Sequence, residues 1–284
     1  MEKVVLITGT STGIGKYTAL KLDKLGYKVL AGVRKESDGE NLKKESTGKL
    51  EYLILDVAKD SDIENSFKII KEKYGQLYAL INNAGYNYID PFEYTDEDKA
   101  RKVMEVNFFG LYKMTQKFIP LLRNYSKKEK RTSKVINIGS IGSTIGLPFE
   151  SFYHASKFAV LGLSEALRIE LSPQSIKVCA VLPGGIKTEF AKKSHNDAVE
   201  SLGKSNKFEY DYQRNLNYYS EMALKLEKYM ADPEIVVKSI ENILSKENPK
   251  FQHLVGNDAN FLYRVNKYMP KFITHKLISK MFDI

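Results

Sequence analysis

The 284 residues are 43% hydrophobic and 28% charged, ordinary proportions for a soluble globular protein whose length a single large core can organise. The formal charge of +9, from 44 Lys+Arg against 35 Asp+Glu, is scattered along the chain, so no nucleic-acid partner is expected, although the positive field suits an anionic ligand such as a phosphorylated cofactor. A lone cysteine, Cys179, excludes an intramolecular disulfide and a CxxC pair, and His154, His195, His253 and His275 are too dispersed for a metal motif, so no metal is expected. No leader-like pattern precedes the first strand-like run, and no apolar run approaches ~20 residues, so a cytoplasmic protein without a membrane span is expected.

Apolar runs alternate with helix-period segments, the pattern of a parallel sheet with helices on both faces. Val4–Ile7 reads as a buried first strand and Gly13–Leu25 as a helix stopped by Gly26. Lys28–Val33 and Leu50–Leu55 read as the second and third strands, the latter closed by Asp56. Ile63, Phe67, Ile70 and Tyr74 recur at helical spacing in Asp62–Tyr74. Leu77–Ile81 is a fourth strand, running into Asn82-Asn83-Ala84-Gly85. A long helix is expected from Asp96 to Tyr125, kinked or broken at Pro120, followed by a polar loop over Ser126–Ser133. Lys134–Ile138 and Ile176–Leu182 read as the fifth and sixth strands around a helix over Ser151–Leu171. From Thr188 to Asp232 the period weakens among clustered Tyr, Asn and Lys, which suits either a substrate lid or a helical insertion. Pro233–Leu244 reads as helix, Phe251–Val255 as a last strand, and Phe261–Phe282 as two short helices around Pro270. With no repeat or low-complexity linker, 1–284 is expected to be one domain, with 185–232 as substrate loop and 257–284 as a C-terminal helical extension.

Thr8-Gly-Thr-Ser-Thr-Gly-Ile-Gly15 joins the first strand to the first helix. Glycines at 9, 13 and 15 permit a tight turn, close backbone approach to a diphosphate and close helix–strand packing, with the N–H groups at the helix start facing the phosphate. Gly9, Ser11, Thr12, Gly13, Ile14 and Gly15 are therefore candidate cofactor contacts. An acidic residue roughly twenty positions after such a turn binds the adenosine ribose of NAD, whereas an arginine accommodates the 2′-phosphate of NADP. Ala31-Gly-Val-Arg-Lys35 has no acid there, so NADP(H) is expected over NAD(H), with Arg34 as the direct contact and Lys35 beside it.

Ser140–Lys157, SIGSTIGLPFESFYHASK, places a hydroxyl, a phenol and an ammonium in one loop-and-helix segment. Tyr153 and Lys157 stand four apart on one helical face, and a cation beside a phenol lowers its ordinary pKa of about 10 toward neutrality. The spacing alone decides nothing, because Tyr17/Lys21 and Tyr263/Lys267 share it.

The ordered set of motifs decides. The Gly-rich turn, Asp56, Asn82–Gly85, Asn107, Ser140, Tyr153/Lys157 and Pro183–Thr188 resemble, in matching order over about the first two thirds of the chain, the short-chain dehydrogenase/reductase family. That resemblance implies a Rossmann-type doubly wound parallel sheet and an oxidoreductase acting on CH–OH groups with NAD(P). It implies Tyr153 as general acid/base, Lys157 lowering its pKa and bonding the nicotinamide ribose, Ser140 holding the substrate oxygen, and Asn107 positioning a water in a relay to Lys157. Asp56 and Val57 would contact the adenine, Asn83, Ala84 and Gly85 the ribose side, and Pro183, Gly184, Ile186 and Thr188 the carboxamide end. Two positions depart from the pattern. Gly139 stands where a second serine is frequent, leaving Ser143 as an outside candidate, and His154 stands where a small residue is common.

The tail, Leu254-Val-Gly-Asn-Asp-Ala259 with Pro270 and Phe282, resembles retinol- and hydroxysteroid-dehydrogenase-like members, which implies a small hydrophobic alcohol/ketone substrate. Phe149, Phe152, Tyr86, Tyr88 and Phe190 are candidate pocket aromatics. The basic-aromatic segment Tyr263–Phe282 suits packing over the cleft or contact with a membrane surface. The resemblance further implies a homodimer or homotetramer through the helices carrying Asn107 and Tyr153. A non-catalytic NADP(H)-sensing protein on the same fold is the alternative function, and a nucleotide-sugar epimerase or dehydratase a more distant one.

Overall fold

The computed structural model describes residues 2–190, 192, 196, 212–282 and 284. Its framework is a seven-stranded, wholly parallel sheet in the order β3-β2-β1-β4-β5-β6-β7. The strands are β1 (Val4–Ile7), β2 (Lys28–Val33), β3 (Glu51–Ile54), β4 (Ala79–Asn82), β5 (Ser133–Ile138), β6 (Ile176–Pro183) and β7 (Gln252–Val255). Strand order reverses between β1 and β4, and in sheets of this kind ligands bind beyond the strands' carboxyl ends at that switch point.

Both sheet faces are buried, which is why the strands read as continuous apolar runs. Val5 and Ile7 face one core with α1 (Gly13–Lys24), α2 (Glu36–Glu45) and the helix Glu234–Ser245. Val4 and Leu6 face the other with α3 (Asp60–Lys73), α5 (Gly110–Glu129) and α6 (Ser151–Glu170). A smaller third cluster of Ile89, Phe149, Leu216 and Phe282 joins the loop after β4 to α7 (Tyr212–Glu227) and the last helix, Lys271–Phe282.

The elements differ from the sequence expectation in three places. The expectation assigns nothing to 36–49, yet α2 forms there. Its ten residues are almost wholly polar, and it is held by one buried leucine, Leu42, and by Gly39 lying against the Tyr52 ring. The long helix does not break at Pro120, which sits inside the twenty-residue α5. Pro120 and Gln116 are both exposed, so the carbonyl deprived of its partner is open to water. The irregularity falls earlier, where Glu105–Phe109 forms a π-helical turn between α4 (Glu97–Met104) and α5. Helix α5 also runs on through the expected loop to Glu129.

Most of 191–211, within the expected substrate loop, lies outside the described residues. Among the described residues no helix is long and apolar enough to cross a membrane. The helices Asn257–Tyr268 and Lys271–Phe282 form the C-terminal extension.

Phe118 anchors the second core: it is fully buried and meets Phe67 of α3 edge-on at 5.7 Å between ring centroids. Phe118→Ala is expected to cost about 3–5 kcal/mol, read as a lowered urea midpoint with an unchanged slope.

Candidate active site

The Gly-rich turn leaves β1 and is fastened on both sides. Thr10 donates through its N–H and its hydroxyl to Gly32 O on β2, both at 3.0 Å. The Asn83 amide donates to Thr8 O and Gly9 O, both at 2.9 Å, while Thr8 Oγ1 accepts from the N–H groups of Asn83 and Ala84. Gly9 has φ +67°, and a Cβ there would stand 2.8 Å from Ala84 Cα. A Cβ on Gly15 would overlap the Gly9 carbonyl. Thr12 begins α1 without a side-chain cap, so the helix's first N–H groups are offered to a ligand rather than to the chain. This is a backbone cradle that fits a dinucleotide diphosphate.

The other expected cofactor residues gather around it. Gly13 packs on Thr188, a Cβ on it standing 3.3 Å from the threonine Cβ and Cγ2. Ile186 bridges to Ala231, whose N–H and carbonyl bind Gly185 O and Lys187 N. Asp258, in the first turn of the helix Asn257–Tyr268, accepts from Gly185 N at 2.6 Å and lies against Gly184 and Gly256, so its carboxylate clamps the turn after Pro183. Arg34 and Lys35 are exposed at the end of β2. Asp56 accepts from Ala58 N and its own N–H binds Asp62, while Val57 is buried against Gly110 at the start of α5.

The candidate catalytic residues come together at the carboxyl ends of β4 and β5. A methyl placed on Gly85 would stand 3.7 Å from Asn107 Oδ1 and 4.0 Å from Lys157 Nζ, so this glycine marks the space between them. Lys157 is buried, donates to Ile138 O at 3.0 Å, and holds Nζ 5.6 Å from the Tyr153 ring centroid. Tyr153 is partly buried, its phenol close enough to the Ser140 hydroxyl for that group to favour ionisation, and the Phe190 ring lies 6.1 Å from its own. Ser143 is turned away: its Oγ accepts from Ser140 N and so fixes the backbone of Ser140. A Cβ on Gly139 would stand 2.6 Å from Leu182 Cδ2 and 3.0 Å from Ser143 Oγ, which accounts for glycine where a serine is frequent.

Protonation follows burial more than pairing. Desolvation pushes the Tyr153 phenol well above its ordinary range, against the lowering hydrogen bond of Ser140 and with the Glu150 charge adding to the rise. Lys157 does not offset this, since its ammonium points to Ile138 O and is itself brought down to about 8 by desolvation. With the ammonium turned to Ile138 O, burial leaves Tyr153 favoured as a protonated donor.

Several side chains serve differently from their expected use. The Asn83 amide braces the turn through Thr8 and Gly9. The Asn107 amide donates to Tyr86 O and Ser156 Oγ and accepts from Tyr86 N, so only its backbone stays available to a relay. Phe149 lies in the third core with φ +68°, and Phe152 stacks on Phe92. Tyr86 and Tyr88 carry Lys102 and Lys99 over their rings. Of the expected pocket aromatics, Phe190 adjoins the reacting phenol. Sequence reasoning missed Thr8, Asn137, Glu150 and Asp258. Asn137, inside β5, connects Asn82 to Ser164 beneath the site, and a buried asparagine in an apolar strand is its only signal.

Burying Lys157 has a cost that pH can read. Its pKa falls from 10.5 to about 8, so between those values the unfolded chain binds more protons and stability rises with pH. Lys157→Met is therefore expected to raise stability at pH 7, by up to about 3 kcal/mol, with the gain fading between pH 8 and 10.5. Urea unfolding of both proteins across that range checks it.

Comparison with known proteins follows the same lines. Residues 3–199 match the short chain dehydrogenase family. The chain is 34% identical, over 93% of its length and 92% of the relative's, to a 3-ketodihydrosphingosine reductase of Bacteroides thetaiotaomicron. It is 32% identical to estradiol 17-beta-dehydrogenase 2 of Mus musculus, over 99% of this chain and 75% of that protein. It is 30% identical to retinol dehydrogenase 7 of Rattus norvegicus, over 98% and 88%. The likeness to the retinol and hydroxysteroid branch thus extends to nearly the whole chain. With its motif order, sheet order and glycine cradle in agreement, the chain belongs to the short-chain dehydrogenase family, as an oxidoreductase acting on CH–OH groups with NAD(P).

Proposed function

We propose that the protein is an NADP(H)-dependent oxidoreductase interconverting a bulky hydrophobic alcohol and its ketone or aldehyde, with Tyr153 as general acid/base. The observation that carries this reading is the Tyr153 ring with Lys157 Nζ 5.6 Å from its centroid and Ser140 beside its phenol, close to Gly85 and the glycine cradle. The dinucleotide, when bound, supplies or accepts the hydride.

Gly9, Ser11, Thr12, Gly13, Ile14 and Gly15 hold the diphosphate, and Asp56 and Val57 flank the adenine. The backbone of Asn83, Ala84 and Gly85 lines the ribose side, and Lys157 reaches the nicotinamide ribose. Pro183, Gly184, Ile186 and Thr188 orient the carboxamide. Arg34, with Lys35, takes the 2′-phosphate, since a guanidinium forks onto phosphate where a carboxylate would repel it. In reduction, Tyr153 gives its phenolic proton to the carbonyl oxygen while Ser140 donates a second hydrogen bond there, both acting where negative charge develops. In oxidation the same phenol oxygen takes the proton back. Asn107 and Lys157 Nζ, on either side of Gly85, bracket a water that returns protons from solvent.

The substrate class rests on the relatives, whose names point to 3-ketodihydrosphingosine, estradiol and retinol. Phe190 beside Tyr153 gives that substrate an apolar wall. The whole chain acts as one catalytic unit, with 185–232 closing over substrate and 257–284 packed as a helical cover. Exposed Phe109, Tyr112, Phe158 and Ile169 on α5, α6 and the preceding π turn suit pairing of identical chains, as a homodimer or homotetramer.

NADPH oxidation against a panel holding 3-ketodihydrosphingosine, estrone, retinal and aryl ketones tests the reading. Tyr153→Phe is expected to abolish turnover while NADPH still binds, and Arg34→Ala to weaken NADPH about 10- to 100-fold with NADH unaffected. Turnover in Tyr153→Phe refutes the mechanism, and unchanged NADPH affinity in Arg34→Ala refutes the cofactor preference.

A further inference from the structure

Beside the catalytic residues lies a buried ionic cluster that the reaction as described does not use. Glu150, at the N-terminal cap of α6, has its side chain only 12% exposed. Its Oε1 accepts from Asn87 Nδ2 at 3.0 Å and Tyr219 Oη at 2.8 Å, and its Oε2 stands 3.4 Å from His154 Nε2. The other ring nitrogen, His154 Nδ1, lies 3.0 Å from Gly142 O. Gly142 N in turn donates to Ser140 Oγ at 3.0 Å, and Ser140 lies close enough to the Tyr153 phenol to favour its ionisation.

The ring's protons follow from its neighbours. A peptide oxygen only accepts, so Nδ1 carries hydrogen. Nε2, buried and without a hydrogen-bond partner, faces the carboxylate at 3.4 Å, a contact that is attractive only when this nitrogen also carries a proton. The carboxylate itself stays ionised: the His154, Tyr219 and Asn87 bonds outweigh desolvation and hold its pKa below the ordinary range. A charged imidazole donates to Gly142 O more strongly than a neutral one. Gly142 makes this approach possible, because a Cβ there would stand 2.8 Å from Nδ1 and 3.3 Å from Ser140 Oγ.

We propose that Glu150 and His154 form an ion pair that positions Ser140, through Gly142, against the Tyr153 phenol. They are positioning residues: neither reaches the reacting oxygen, and each acts through the loop that does. The pair also has a sign. The groups facing it are Tyr153 on the same helix, Tyr219 from α7, and the uncharged Asn87 from the loop after β4. The Glu150 charge disfavours the Tyr153 phenolate and the His154 charge favours it, so removing His154 alone raises the phenol, whereas removing Glu150 discharges the ring as well and the two effects offset.

The catalytic consequence rests on the reading of Tyr153 given above, whereas the ring state of His154 does not, and the experiment separates them. Nitrogen NMR of the histidine rings is recorded at neutral pH on full-length protein saturated with NADPH. The chain has four histidines, and the signal lost in His154→Gln identifies this ring. Both nitrogens are expected to be protonated in the native chain, and Nε2 to lose its proton in Glu150→Gln. A singly protonated native ring overturns the pair whatever the turnover.

With the ketone turned over fastest in the panel, His154→Gln and Glu150→Gln are each expected to lower kcat on the order of 10- to 100-fold at unchanged KM for NADPH. The alkaline limb of the pH profile should move up in His154→Gln, which leaves Glu150 charged, and stay nearer its native place in Glu150→Gln, where the ring is discharged along with the carboxylate. A limb that does not move up in His154→Gln, or an unchanged kcat, overturns the positioning role. Gly142→Ala, which displaces the ring but keeps both charges, should reproduce the loss in kcat. It decides the matter if a charge variant does not fold. Absence of turnover in the native chain together with a doubly protonated ring refutes the reading of the reaction instead.

Discussion

One side-chain amide holds the two halves of the site together. Asn83 donates to both Thr8 O and Gly9 O, and this contact closes the crevice between β1 and β4, the strands at which the sheet reverses order. On one side of it the glycine turn lies so near the β4 exit that Gly9 has no room for a side chain against Ala84. On the other, two residues along, Gly85 lies between Asn107 and Lys157. A diphosphate cradle and a proton-transfer group thus share one short segment, 83–85, and neither can shift without the other. That is the constraint hydride transfer imposes, since the reacting atoms must meet within a few tenths of an ångström of the productive geometry.

The same crowding explains why protonation states depart from simple pairing rules. Four-residue spacing puts Tyr153 and Lys157 on one face of α6, but the spacing does not say which way a flexible ammonium turns. Ile138 O takes it, at the end of β5, and desolvation then acts on both groups in the direction that removes charge: phenol up, ammonium down. The phenol therefore keeps its proton, which suits a donor that must hold it until negative charge develops on the substrate oxygen, while the ammonium loses its charge more readily than an exposed lysine. The nearby acid, Glu150, sits one step removed, its charge disfavouring the phenolate and its Oε2 3.4 Å from His154 Nε2.

What the sequence made legible was whatever repeats with a local period or needs a particular backbone. Parallel strands buried on both faces read directly from Val4–Ile7 or Val178–Leu182, and the turn at Gly9–Gly15 read from the glycines its close contacts demand. Glu36–Glu45 did not read as a helix because its burial amounts to Leu42 and a bare glycine against Tyr52, a tertiary contact without a period. The π turn at Asn107 was equally silent, for it arises when the Asn107 amide clamps Tyr86 and Ser156, residues far from it in the chain. Nothing in the sequence marked Glu150 or Asp258, and only the fold shows that one is enclosed by Asn87, Tyr219 and His154 while the other, still exposed, is set against three glycines.

The division between what was and was not legible coincides with a division of labour. The cofactor side is built from strand ends, whose positions the sheet register dictates once the apolar runs are in place. The substrate side is assembled by long-range contacts from residues after 212. Tyr219 reaches Glu150, Asn266 donates to Thr144 O, and Phe282 packs with Phe149 and Ile89 in a cluster apart from the two main cores. Contacts of that kind carry no local signature, and a small third cluster can be repacked without disturbing the sheet. The strand-end crevice is therefore held by the part of the chain whose geometry is least negotiable, and the third cluster by the part that can change while the sheet stays where it is.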